Sequence, residues 1–168
     1  MFKVGVLVAS DKGSKGQRVD KSGELIITMM KESGYDAEEK IIVPDDQETI
    51  SKELIRMSDA LNLDLVLTTG GTGFSPRDWT PEATKAVIER EVPGIPEAMR
   101  AYSMTITPKA MLSRATAGIR GKCLIINLPG SPKAVKENLE CILPALKHGL
   151  EILVGSATDC AEPLKTNS

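Results

Sequence analysis

The chain of 168 residues is one domain's length, and 41% hydrophobic with 26% charged residues is ordinary for a folded globular protein and far from the signature of disorder. Lys+Arg 21 against Asp+Glu 23 gives a net charge of −2, and aromatics are only 3%, so neither a basic field nor a stacking platform for nucleic acid is present. The reading is therefore a single α/β domain over 1–160 with a tail at 161–168, without nucleic-acid or membrane partners.

Lys3 to Ala9 is predicted as the first strand: the apolar run is too short to span a bilayer, and it leads directly into Asp11 and Lys12, so it reads as a strand and not a signal peptide. After a polar loop, a helix starts near Ser22, buries Leu25, Ile26, Met29 and Met30, and stops at Gly34. Ile41 to Val43 supplies a second strand. Asp45, three residues before Glu48, offers a capping-box-like start to a helix carrying Ile50, Leu54, Met57 and Leu61. Leu63 to Leu67 is the third strand, followed by a loop from Gly70 to Trp79 and a helix with Thr80 as N-cap, Pro81 at its first position and its end at Pro93-Gly94. Pro96 to Met104 fits a short helix and Thr105 to Arg114 an irregular or partly helical stretch. Lys122 to Asn127 is a buried strand running into Pro129-Gly130-Ser131-Pro132, then a helix carrying Ala134, Val135, Leu139 and Ile142, with a break or kink expected near Leu143 because Pro144 cannot continue the hydrogen-bond ladder. Strands alternating with helices imply a three-layer αβα sandwich around a mostly parallel sheet.

Cys123, Cys141 and Cys160 are widely spaced without a C-x-x-C pair, which fits a reducing cytoplasm; His148, the only histidine, falls on a helix face. The strongest chemical signal is Thr68-Thr69-Gly70-Gly71-Thr72-Gly73 at the end of a hydrophobic strand. Glycines there let backbone N–H groups approach an anion, although neither G-x-G-x-x-G nor G-x-x-x-x-G-K-S/T is present, and a plain strand-to-helix turn explains three glycines equally well. Asp78 beside such a cradle needs a cation between itself and a phosphate, or else backbone N–H groups to satisfy it. Arg77 faces phosphate or pairs with Asp78. Asp45 lies at another strand end, as a ligand group or a helix cap, and Ser10-Asp11 and Asn127 to Lys133 open on the same edge, where a parallel sheet places its ligand crevice.

Thr68 to Gly73, Pro76-Arg77-Asp78, Thr80-Pro81-Glu82-Ala83-Thr84, Pro93-Gly94 and Leu128-Pro129-Gly130 resemble the Mog/MoaB family of molybdenum cofactor biosynthesis over nearly the whole chain, and the Pro-Arg-Asp and Thr-Pro-Glu-Ala-Thr runs resemble the Mog type and the gephyrin G domain. That resemblance implies a homotrimer that joins molybdopterin to ATP with Mg²⁺, releasing pyrophosphate, and a molybdenum-insertion protein as a further partner. It assigns catalysis and Mg²⁺ to Asp45 and Asp78. It places Gly70, Gly71, Thr72 and Gly73 along the molybdopterin and nucleotide crevice, with Ser103 and Ser113 as further contacts; Ser10, Asp11, Thr69, Pro129, Gly130 and Ser131 join them from the loops on the same edge, and Arg77, Arg114 and Lys133 are phosphate contacts or, equally, solvated surface charges. Trp79 stands where the family usually has a small aliphatic residue, and Asp46 where Glu is common. The alternatives are a MoaB-type protein that binds or scaffolds molybdopterin without catalysis, and a nucleotide-binding regulator.

Overall fold

The computed structural model describes residues 1–156; Cys160, the expected domain limit at 160 and the tail 161–168 lie outside the described residues. The chain runs β1 (Lys3–Ala9), α1 (Asp11–Ser14), α2 (Lys21–Glu32), β2 (Asp36–Val43), α3 (Gln47–Ile55) continued by a π-helical turn (Arg56–Ala60), β3 (Leu65–Thr69), α4 (Thr80–Val87), β4 (Arg90–Glu91), α5 (Gly94–Met104), a 3₁₀ turn (Pro108–Leu112), β5 (Ala117–Arg120), β6 (Cys123–Leu128) and α6 (Pro132–Val154). The six strands form one sheet in the order β2-β1-β3-β6-β5-β4. β2, β1, β3 and β6 are mutually parallel, while β5 pairs antiparallel with both β6 and β4.

β1, β3 and β6 read as almost unbroken apolar runs because both faces of the sheet are covered at its centre. Val4, Val6 and Val8 of β1, Leu65 and Leu67 of β3 and Leu124, Ile126 and Leu128 of β6 enter one core with Ile26 and Met30 of α2, Met99 of α5 and Val135, Leu139 and Ile142 of α6. Leu7, Val66 and Ile125 point the other way, onto Ile50 and Leu54 of α3 and Ala83 and Val87 of α4. The result is the expected αβα sandwich. Each fully buried Leu or Ile contributes about 1.5–3 kcal/mol of transfer free energy. A polar knot stiffens the centre: Asn127, fully buried, donates to the hydroxyls of Thr68 (3.1 Å) and Thr84 (2.9 Å) and accepts from the Thr116 N–H (3.2 Å), tying β3, α4 and the start of β5 to β6. No helix among the described residues is long and apolar enough to cross a membrane.

Several local expectations change. The N-cap of α3 is Asp46, whose carboxylate accepts from the Thr49 N–H at 2.8 Å, so Asp45 is not the cap. Trp79, not Thr80, occupies the cap position of α4; Thr80 is the first helical residue and Pro81 follows it. This helix stops at Val87, well before Pro93-Gly94, because Ile88 turns extended and the Glu89 N–H donates to Ile119 O, starting β4. Pro144 does not break α6, which runs unbroken from Pro132 to Val154. Pro144 and Glu140 both face solvent, where water can satisfy the carbonyl that proline leaves without a donor, while Ile142 and Leu146 keep the opposite face on the core. His148 lies on the exposed side of the same helix.

Candidate active site

The strand order reverses direction between β1 and β3: from β1 the chain first adds β2 on one side and then β3 on the other. A crevice opens at the carboxyl ends of these strands for that geometric reason. A cavity of about 670 Å³ occupies it. Its wall includes Ser10, Asp45, Thr69, Gly70, Gly71, Asp78, Gly130 and Ser131 from the expected set, together with Arg18, Asp20, Lys21 and Ser22. A second, mainly apolar cavity of about 290 Å³ lies across the glycine loop and takes Thr72, Gly73, Ser103, Ser113 and Pro129 from that set, with Met99, Arg100, Lys109 and Asn138. The Gly70–Gly73 segment and Pro129-Gly130 form the ridge between the two.

The glycine loop is shaped by close approach. Gly70 and Gly71 both have positive φ (91° and 68°), and a Cβ on Gly70 would stand 2.4 Å from Ala9 O of the neighbouring strand. Thr80 pins this turn from the far end, its hydroxyl donating to Gly70 O (2.9 Å) and its N–H to Gly71 O (3.2 Å). Thr69 donates to Pro129 O (2.6 Å) and Ser22 to Gly130 O (2.7 Å), so the two loops and the N-terminus of α2 are stitched together around the first cavity.

The two acids are held differently. Asp78 Oδ2 accepts the N–H groups of Gly73 (3.0 Å) and Ser75 (3.1 Å) inside its own loop. Asp45 Oδ2 accepts the Asp11 N–H (2.9 Å), and Asp11 Oδ1 returns the bond by accepting the Asp45 N–H (3.0 Å). Asp45 Oδ1 is directed toward the Gly71 backbone, where an added Cβ would lie 3.4 Å away. Arg77 does not pair with Asp78. Its guanidinium forks onto Asp11, Nε to Oδ2 at 3.0 Å and Nη2 to Oδ1 at 2.9 Å, and latches the Pro76-Arg77-Asp78 turn to the end of β1. Arg77 thereby holds the Asp11 carboxyl below the usual aspartate range. Lys133 is exposed and lies near Glu137 on its own helix. Arg114 lines neither of these two cavities; it lines a third of about 330 Å³ with Arg100 and Ser113, and a shallower one with Gly73, Asp78 and Glu82.

Burial raises the Asp45 carboxyl above its ordinary value, and the nearby charges of Asp11 and Asp78 act in the same direction. An acid raised in this way contributes stability that is complete below its unfolded value and is lost as pH rises through its folded one. Asp45→Asn, which can still accept the Asp11 N–H, is therefore expected to leave the protein at least as stable as the natural chain at neutral pH. Urea unfolding across pH should show that difference shrinking as pH falls toward about 4 and gone well below it, where Asp45 is protonated in both states.

Among the described residues no three or more His, Cys, Asp and Glu side chains cluster as a metal cage. Two convergent carboxylates are nevertheless what Mg²⁺ uses when substrate phosphates and water complete its shell, so the oxygen donors present fit that ion. The N-terminal ends of α2 and α6, at Asp20–Ser22 and Ser131–Pro132, line the first cavity and add partial positive charge. Arg18, Lys21 and the Asp20 cap were not among the expected residues. The only signal in the sequence was the cap itself, Asp20 ahead of Gly23, which marks a helix start without marking what it faces.

Comparison with known proteins agrees with this architecture. Residues 5–148 match a family described as "Probable molybdopterin binding domain". The molybdopterin adenylyltransferase of Helicobacter pylori (strain J99) is 47% identical over 155 residues, 91% of this chain and 88% of the relative. Gephyrin of Dictyostelium discoideum is 46% identical over 160 residues, 89% of this chain but only 22% of that longer protein. The crystal structure of the molybdopterin biosynthesis enzyme MoaB from Thermus thermophilus superposes with a TM-score of 0.87 at 47% identity, covering 92% of this chain and 98% of its own. A family model matched over residues 5–148 and relatives matched over most of the chain show its lineage: the chain belongs to the molybdopterin-binding family of molybdenum cofactor biosynthesis proteins.

Proposed function

We propose that the protein is a molybdopterin adenylyltransferase, transferring AMP from ATP to molybdopterin with release of pyrophosphate. The single observation that carries this reading is the joint exposure of Asp45 and Asp78 in one cavity beside the Gly70-Gly71 backbone. A binding module has no need of two acids there, since carboxylates repel phosphate in the absence of a cation.

The reaction needs two anions brought together and held in line, which is positioning and charge neutralisation more than proton transfer. The two cavities on either side of the glycine ridge suit two ligands that meet at it. Backbone N–H groups of the glycine loop and the α2 and α6 N-termini would hold phosphate oxygens in the first cavity. Asp45 and Asp78 would hold Mg²⁺, which when bound offsets charge on the phosphates. No side-chain base is required, because the terminal phosphate monoester of molybdopterin is already largely ionised near neutral pH and can attack the α-phosphorus as it stands. This suits a crevice whose wall contains no histidine among the described residues. The Arg77–Asp11 latch would keep Asp78 and Asp45 on one rim as ligands arrive. A homotrimer, a cytoplasmic location and delivery of product to a molybdenum-insertion protein complete the reading.

Incubation of the purified protein with molybdopterin and Mg-ATP is expected to yield AMP-linked pterin and pyrophosphate in equal amounts, with nucleotide turnover that requires the pterin and stops when EDTA removes the metal. Pterin binding without any AMP-linked product would favour the binding-only MoaB-type alternative. ATP binding indifferent to the pterin would favour a nucleotide regulator.

A further inference from the structure

Glu82 belongs to the Thr-Pro-Glu-Ala-Thr run, yet it lines neither of the two cavities beside the glycine loop and no step of the proposed reaction uses it. Its partner is Arg114, and the guanidinium of Arg114 spans three acceptors. Nε donates to Gly73 O at 2.7 Å, Nη2 donates to Asp78 O at 2.7 Å, and Nη1 pairs with Glu82 Oε1. The Arg114 N–H adds a fourth tie, to Thr72 O at 2.9 Å. Both ends of the Gly73–Asp78 loop are thus gripped by one side chain, and these are the ends that matter. Gly73 supplies an N–H to the Asp78 carboxylate and lines the second cavity, while Asp78 faces the first.

The geometry of the pair is poor for stability alone. Glu82 Oε2 is the one buried side-chain oxygen without a hydrogen-bond partner among the described residues. A carboxylate at the start of α4 would be better satisfied turned to water or to the helix N–H groups, so an orphaned oxygen marks a side chain held for its other contact. We propose that Glu82 and Arg114 are positioning residues: Glu82 fixes the guanidinium plane, and Arg114 sets the span from Gly73 to Asp78 so that the Asp78 carboxylate is aimed at the junction of the two ligand cavities. Arg114 then acts through Asp78 and touches no phosphate. This inference builds on the adenylyl-transfer reading and differs from both roles the sequence offers for Arg114, a phosphate contact or a solvated surface charge.

The two roles predict different kinetics. Arg114→Lys keeps the charge but cannot reach three acceptors at once, and Glu82→Gln keeps the shape but loses the charge-assisted partner. With Arg114 as a positioning residue, each variant is expected to lower kcat by about 10- to 100-fold, while KM for ATP and for molybdopterin stays within about threefold. Arg114→Ala should recover part of its kcat when guanidinium is added at low millimolar concentration. Independently of activity, the amides of Gly73 and Ser75, both bound to Asp78, should exchange with solvent at least about tenfold faster in Arg114→Lys, while those of Val66 and Ile125 in the central strands stay unchanged. An unchanged kcat, a raised KM with normal kcat, or unaltered exchange at Gly73 and Ser75 would overturn the proposal. If the natural protein makes no adenylylated pterin, the activity reading falls and the exchange comparison alone decides the clamp.

Discussion

Asp78→Asn should lower turnover of molybdopterin and Mg-ATP by at least about 100-fold, the size of effect expected when a charge-neutralising site loses one of its two anionic ligands. The fold should survive, because the amide oxygen of Asn can still accept from Gly73 and Ser75, whose N–H groups now hold Asp78 Oδ2. The variant separates the negative charge of residue 78 from its hydrogen bonds. Titrating Mg²⁺ in the same assay adds a check, since the residual activity should need more metal than the natural protein does. Near-normal turnover at ordinary Mg²⁺ would remove Asp78 from the machinery and leave Asp45 as the sole acidic contributor. Asp45→Asn offers the complementary contrast, expected to lose activity while keeping or gaining stability at neutral pH, as its burial and acidic neighbours imply.

The second large effect is structural. Gly70→Ala should destabilise the protein by about 2–5 kcal/mol, combining the left-handed backbone penalty with overpacking of a tight interior. The new methyl would point at Ala9 O, a backbone atom of the central β1 strand that cannot swing aside as a side-chain tip would. Gly71→Ala meets the Thr80 hydroxyl first, with Thr80 Cβ at 3.3 Å and Asp45 Oδ1 at 3.4 Å behind it; these are side-chain atoms and not backbone, so it is expected to cost less while disturbing the helix start. Urea unfolding of the two variants orders them: Gly70→Ala lower, Gly71→Ala intermediate, natural protein highest. The reverse order would mean that the β1–β3 contact is softer than its geometry implies.

The principal helices and the strands β1, β3 and β6 were legible from apolar periodicity or buried apolar runs bounded by Gly, Pro or a capping residue, whereas only the Ile41–Val43 end of β2 was, because its first half, Asp36 to Lys40, is mostly charged. The convergence of Ser10, Asp45, Gly70 and Gly130 at one edge was legible too, since a parallel sheet delivers every strand end to the same side. What escaped was pairing across space. Adjacent Arg77 and Asp78 look like partners in sequence, yet Asp78 is taken by N–H groups of its own loop and Arg77 reaches Asp11, 66 residues away. Two successive acids, Asp45 and Asp46, compete for one cap, and the choice depends on Asp11 claiming the first. The β4 and β5 strands are short, and Ala117 and Gly118 lack the branched side chains that announce a strand; β5 forms because Gly121 with positive φ turns it back against β6. Pro144 was a sound helix-stop signal that packing of Ile142 and Leu146 overrode.

The sheet's two margins carry a consequence for how the protein behaves at high concentration. An open strand margin is a template on which other chains can nucleate fibrils. On one side the outermost strand is only two residues, Arg90 and Glu91, both charged and exposed. On the other, β2 is eight residues long but opens with Asp36 and carries Glu38, Glu39 and Lys40, so an intruding backbone would have to line up beside like charges and dislodge the Lys40 pairings with Asp20 and Glu24. A protein built this way can keep a strongly apolar parallel centre and still resist self-polymerisation, its solubility guarded by a truncated strand at one border and a fence of ions at the other.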